Sequence, residues 1–194
     1  MNVKVKRWSP GQQPPSRGIL LIRHGPRTSP DFPPLSAMLT PEGIEDCILC
    51  GRGMTTSPPL AIYSSPVKRC IDTGERINEG ANWRFEVIES KMLGHPGPFV
   101  IGNYNEEFNK LVGHAHQNDD WSFLHRHVAG EDIPGMRNRS VGAKNLVKEL
   151  HPIENGYVLC ISHDSIIAAI MTAFGLDSDT WPDPLEGICL LVQG

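Results

Sequence analysis

The sequence predicts an α/β fold of three layers: a mostly parallel central sheet, helices on both faces, and a loop-rich cap at residues 94–137. Three observations carry this. Uninterrupted apolar runs at 18–22 and 157–161 each end abruptly at a polar turn, as strands buried on both faces do. Segments with helix start signals follow such runs along the chain. The order of elements then alternates strand with helix, the pattern of βαβ units.

Taken in order, alternation in Met1-Asn2-Val3-Lys4-Val5-Lys6-Arg7-Trp8 fits an edge strand. The run Gly18-Ile19-Leu20-Leu21-Ile22 is a buried strand. Thr40-Pro41-Glu42 opens a helix over 41–50, with an N-cap oxygen ahead of proline at the first helical position. A short strand at 60–63 leads to Ser65-Pro66, read as a second such start for a helix over 65–79. Strand 85–88 precedes residues 94–137, which are rich in Gly, Pro, Asn and His and read as a cap over the pocket. Helix 138–150, strand 157–162, helix 164–174 and strand 187–193 complete one domain over 1–194.

The chemistry concentrates at strand ends. Arg23-His24-Gly25-Pro26-Arg27 follows the first buried strand and turns sharply away from the sheet. One imidazole and two guanidinium groups thereby reach the C-terminal sheet edge, where open α/β folds bind ligands. Two arginines beside a histidine repel its protonated form unless an anion lies between them. Arginine forks match phosphate oxygens, and a neutral imidazole held against phosphate is a nucleophile. The arrangement points to phosphoryl transfer through a phosphohistidine on His24. Arg69, early in the second helix, adds a cation near a helix N-terminus. The strand at 157–162 ends at His163-Asp164, directing a second imidazole to the same edge and placing a proton donor beside it.

These residues resemble the histidine phosphatase superfamily, which includes phosphoglycerate mutases and histidine acid phosphatases. The resemblance spans residues 18–193 through Arg23-His24-Gly25, Arg27, Leu39-Thr40-Pro41-Glu42-Gly43, Arg69, His163 and the closing Pro184-Leu185-Glu186-Gly187 segment. It implies a phosphoric monoester hydrolase that needs no metal or other cofactor. His24 would be the nucleophile, and Arg23, Arg27, Arg69 and His163 would clamp the phosphate. The mutase-like branch draws its acid from a glutamate after the second arginine, here Glu89, but its Trp-Glu-Gly stretch is missing. The acid-phosphatase branch uses an aspartate after the second histidine, as in His163-Asp164. Asp164 is therefore ranked ahead of Glu89. His95, in a Gly-His-Pro-Gly turn, is either a substrate contact or an ordinary loop residue. Thr28 either offers a hydroxyl to the ligand or is a turn residue. A phosphotransferase of mutase type and a non-catalytic phosphate-binding module are the alternatives.

A formal net charge of −4 over 194 residues argues against nucleic acid or an anionic membrane as general partner. A small phosphorylated molecule is the expected partner; nothing sets the oligomeric state. No run reaches transmembrane length, and the N-terminus lacks the apolar core of a signal peptide. Cys47 and Cys50 form a CxxC without a second pair, inside an expected helix, which favours packed thiols over zinc or redox use. Five cysteines kept reduced fit a cytoplasmic protein. His114, His116, His125 and His127 sit at i, i+2 spacing, which converges on an ion only in extended structure; a solvated polar lid is the expectation.

Overall fold

The computed structural model describes residues 2–28, 34–102, 105–151, 155–177 and 179–193. The strands are β1 (Asn2–Trp8), β2 (Gly18–Arg23), β3 (Ala61–Ser64), β4 (Val87–Glu89), β5 (Tyr157–Ser162) and β6 (Gly187–Gln193). They form one sheet in the order β1-β6-β2-β5-β3-β4. β2, β5, β3 and β4 are mutually parallel. β6 runs antiparallel to β2 and to the edge strand β1. The C-terminal ends of β2, β5 and β3 therefore open on one edge.

Alternation along the strands feeds two cores. Ile19, Leu21, Val158, Cys160, Ile188 and Leu190 face helices α5 (Arg139–Leu150) and α6 (Asp164–Ala173). Leu20, Ile22, Leu159, Ile161 and Ile62 face α1 (Pro41–Arg52) and α2 (Lys68–Gly80). Both faces of β2 and β5 are covered, which is why those two strands read as continuous apolar runs.

α1 begins as its sequence signals: Thr40 Oγ1 accepts from Gly43 N–H at 2.9 Å, and Pro41 occupies the first turn. α2 does not. It starts at Lys68, with Val67 as its uncapped N-terminal residue. Ser65 is still part of the sheet edge, its N–H donating to Ile161 O at 3.0 Å, and its hydroxyl faces His163. β4 is shifted from the expected 85–88 because Asn78 takes both backbone groups of Phe85 (2.8 and 3.3 Å), leaving that residue outside the ladder.

The largest departure is the cap. Among the described residues of 94–137 are two helices, α3 (Glu106–Asn118) and α4 (Ser122–Ala129). Phe108, Leu111, Val112 and Ala115 recur at helical spacing, and they pack with Trp121, Phe123 and Ile133 into a third, small core. The cap is therefore not a solvated lid of loops. Its composition of His, Asn and Gly masked a periodicity that was present.

Candidate active site

β2 delivers Arg23 and then His24, whose N–H donates to Ser162 O at 3.0 Å, continuing the pairing with β5 beyond the last strand residue. The chain must then turn under tight contacts. A side chain at Gly25 would begin 2.6 Å from Cys47 Sγ, and one at Gly43 would begin 2.3 Å from Pro26 O. The Arg-His-Gly turn is thus seated directly on the start of α1. Thr40 N–H donates to Pro26 O, Thr28 N–H to Met38 O, and Gly25 N–H to Thr73 Oγ1 on α2.

His24 is 3 % exposed. Its Nδ1 lies 2.8 Å from Gly25 O, so Nδ1 carries the proton and Nε2 the lone pair. Arg69 Nε–H donates to that Nε2 at 3.0 Å, while its Nη2 lies 3.4 Å from His163 Nδ1. One guanidinium thus bridges the two imidazoles, whose centroids are 5.6 Å apart. Arg69 is itself buried. Arg23 donates through Nη1 to Pro182 O (2.9 Å) and pairs through Nη2 with Asp164 Oδ2 (2.9 Å). Arg27 is half-buried and donates to Thr28 O, close enough for its charge to act on both Arg69 and His163.

Burial lowers the pKa of His24 to about 4, with Arg69 and Arg23 adding to the effect against the Gly25 carbonyl. Burial, His24 and the arginines likewise push His163 well below the ordinary imidazole value. Both rings are neutral near pH 7. The unfolded chain takes up a proton on each near pH 6.5 while the folded chain resists it, so stability is full above that pH and is lost as pH falls toward 4. From His24 alone, acidification from pH 7 to 5 should cost about 2 kcal/mol. Urea unfolding at both pH values checks this: His24→Asn should show a smaller loss, and an equal loss in the two proteins would refute it.

The anticipated residues do not all meet. His24, His163, Arg23, Arg27, Arg69 and Asp164 converge. Glu89 ends β4 opposite Ser64 and is exposed, with no contact to the six. His95 is also exposed, but the adjacent Gly94, at φ 147°, lies so close to the His163 ring that a side chain there would begin 2.6 Å from it. Thr28 is exposed and held through its backbone. Ser65, Cys70, Thr73, Gly94 and the Pro182 carbonyl were not anticipated in these roles. Only Thr73 had a local signal, four residues after Arg69 on one face of α2.

Among the described residues no group of three or more His, Cys, Asp or Glu side chains is arranged to hold an ion. The histidine pairs lie on helices, where i, i+2 residues diverge. His127 is buried against Arg137 O, and His125 stacks on Trp181. The CxxC thiols are buried, with pKa values pushed up to about 12 for Cys47 and 11 for Cys50, the state of inert packed cysteines. No described helix is long and apolar enough to cross a membrane.

No curated protein matches the chain in sequence. Solved structures do. A mycobacterial glucosyl-3-phosphoglycerate phosphatase superposes with a TM-score of 0.58 at 18% identity, covering 87% of each chain. A phosphoserine phosphatase from Entamoeba histolytica, bound to phosphoserine, gives 0.57 at 20% identity over 90% of this chain and 89% of that one. A phosphoglycerate mutase from Bacillus anthracis gives 0.54 at 15% identity over 99% and 92%. At these identities the likeness is one of fold. A family model, histidine phosphatase superfamily (branch 1), matches residues 19–186, from within β2 to the turn before β6. With that match spanning the Arg-His-Gly turn, Arg69 and His163, the chain belongs to branch 1 of the histidine phosphatase superfamily.

Proposed function

We propose that the chain is a phosphomonoesterase working through a phosphohistidine on His24, with Arg23, Arg27, Arg69 and His163 around the phosphoryl group. The observation that carries this reading is the state of His24: buried, neutral, its Nδ1 proton given to Gly25 O and its Nε2 lone pair turned to a guanidinium. An incoming phosphate competes for the donors of Arg69 and Arg23. As it takes them, Nε2 is released for attack and Asp164 from its ion pair.

In the first step the Nε2 lone pair forms the N–P bond as the P–O ester bond breaks, and the proton of a monoprotonated phosphate ester, taken up by the Asp164 carboxylate as its ion pair opens, passes to the departing alkoxide. Three guanidinium groups stabilise the charge on the equatorial oxygens. In the second step water gives a proton to the Asp164 carboxylate while its oxygen attacks phosphorus. The N–P bond breaks, and neutral His24 and inorganic phosphate are regenerated. All groups in this cycle belong to the chain, so no metal or other cofactor is assigned.

A phosphotransferase would share the first step and differ in its acceptor. Turnover of p-nitrophenyl phosphate in the presence of EDTA tests the reading. Steady release of inorganic phosphate without a bisphosphorylated primer is expected. Strict dependence on such a primer would favour the mutase reading, and phosphate binding without turnover would reduce the chain to a binding module.

A further inference from the structure

His163 is anchored on the side away from the phosphate pocket by groups that the proposed cycle does not use. Its Nε2 lies 3.0 Å from Ser65 Oγ and 3.7 Å from Cys70 Sγ. Ser65 is fully buried, as is Cys70. Their protons can be assigned from donor and acceptor chemistry. Arg69 has no acceptor, so its Nη2, 3.4 Å from His163 Nδ1, meets a bare nitrogen there. A neutral imidazole with a bare Nδ1 carries its hydrogen on Nε2, and that hydrogen points at Ser65 Oγ. Ser65 Oγ also accepts from Val67 N–H at 3.4 Å, and the hydroxyl is a hydrogen-bond neighbour of Cys70 Sγ. Cys70 in turn donates to Ser162 O at 3.8 Å.

The bonds form a directed chain: His163 to Ser65, Ser65 to Cys70, Cys70 to the Ser162 carbonyl. Burial pushes the Cys70 thiol up to about 12, so it keeps the hydrogen that this direction needs. Each hydrogen along the chain has one acceptor, and reversing either the His163–Ser65 or the Ser65–Cys70 bond leaves a buried donor facing a donor. Such a clash costs more than a bond gains.

We propose that Ser65, backed by Cys70, is a positioning residue that holds His163 with its proton on Nε2 and its Nδ1 lone pair turned to the phosphate pocket. The inference rests on the reading of that pocket as a phosphoryl site. It adds that His163 meets the phosphoryl group as an acceptor, taking the hydrogen bond of a protonated phosphoryl oxygen, while the three arginines supply the donors. When that proton transfers, the O–H bond breaks and the Nδ1–H bond forms. The phosphoryl group gains one negative charge and His163 becomes an imidazolium, its Nε2 hydrogen still donated to Ser65 Oγ.

The tautomer is directly observable. Nitrogen-15 imidazole spectra of the protein without ligand should show His163 protonated at Nε2 and bare at Nδ1. Inorganic phosphate should move the Nδ1 resonance toward the protonated position and leave the Nε2 hydrogen in place. Ser65→Ala removes the acceptor, so the Nδ1–H form should appear and kcat/KM on p-nitrophenyl phosphate should fall about tenfold or more. Cys70→Ala should shift the tautomer in the same direction, and Cys70→Ser, which keeps a donor and acceptor, should restore Nε2–H. The proposal is overturned if His163 carries its proton on Nδ1 in the unliganded wild type. It is equally overturned if Ser65→Ala keeps the wild-type tautomer, since a lower rate would then report packing alone. The unliganded spectra need no turnover, so a failed activity assay would remove the phosphatase reading without deciding this one.

Discussion

His24→Ala should lower turnover of any phosphomonoester by at least about a thousandfold, because the covalent route loses its nucleophile. Rapid denaturation during turnover of labelled substrate should trap an acid-labile, base-stable phosphoenzyme in the wild type and none in the variant. The imidazole is buried between Gly25 O and Arg69, so its removal leaves a void as well as an unmatched guanidinium. His24→Asn is the better companion, since its amide refills the space and still donates toward Gly25 O. Thermal unfolding of both variants separates folding from chemistry. A folded variant retaining a tenth of the wild-type rate would exclude covalent catalysis by His24.

Asp164→Asn should slow hydrolysis of a simple alkyl phosphate by about 10²–10⁴, the range for loss of a general acid, and p-nitrophenyl phosphate far less. The contrast arises because nitrophenolate leaves readily as an anion while an alkoxide needs a proton. Comparing the two substrates is essential here. Asp164 also pairs with Arg23, so its substitution disturbs phosphate binding for both, and only the ratio of their rates isolates proton donation. Glu89→Gln should leave that ratio within about twofold, since Glu89 is exposed at the end of β4 and Asp164 is the carboxylate whose charge reaches His24 and Arg69. A leaving-group effect that follows Glu89 and spares Asp164 would assign the acid to the strand after α2 instead.

Much of this was legible in the chain because the signals are local. The runs of β2 and β5 are apolar at every position, since helices cover both faces of those strands. Thr40-Pro41 carries its capping chemistry within four residues. Strand-end placement of Arg23-His24 and His163-Asp164 followed from those runs, and with it the common sheet edge. The family motifs were readable for the same reason: each is a short segment whose charged or imidazole side chain sits where a local element begins or ends.

What local pattern left undecided depends on residues far apart in the chain. Ser65 has all the features of an N-cap, yet its hydroxyl goes to His163, 98 positions away, and α2 begins later as a result. The cap helices were hidden because Phe108, Leu111 and Ala115 gain a partner only when α4 folds against them. Arg69 was recognised as a cation near a helix start, but that its guanidinium holds two imidazoles from two different strands follows only from β2, β3 and β5 lying side by side. By itself, then, the sequence determined the strands, the edge and the charged groups placed there. The tertiary structure decided which nitrogen faces which donor, because hydrogen bonds act over about 3 Å and only the assembled sheet brings their partners that close.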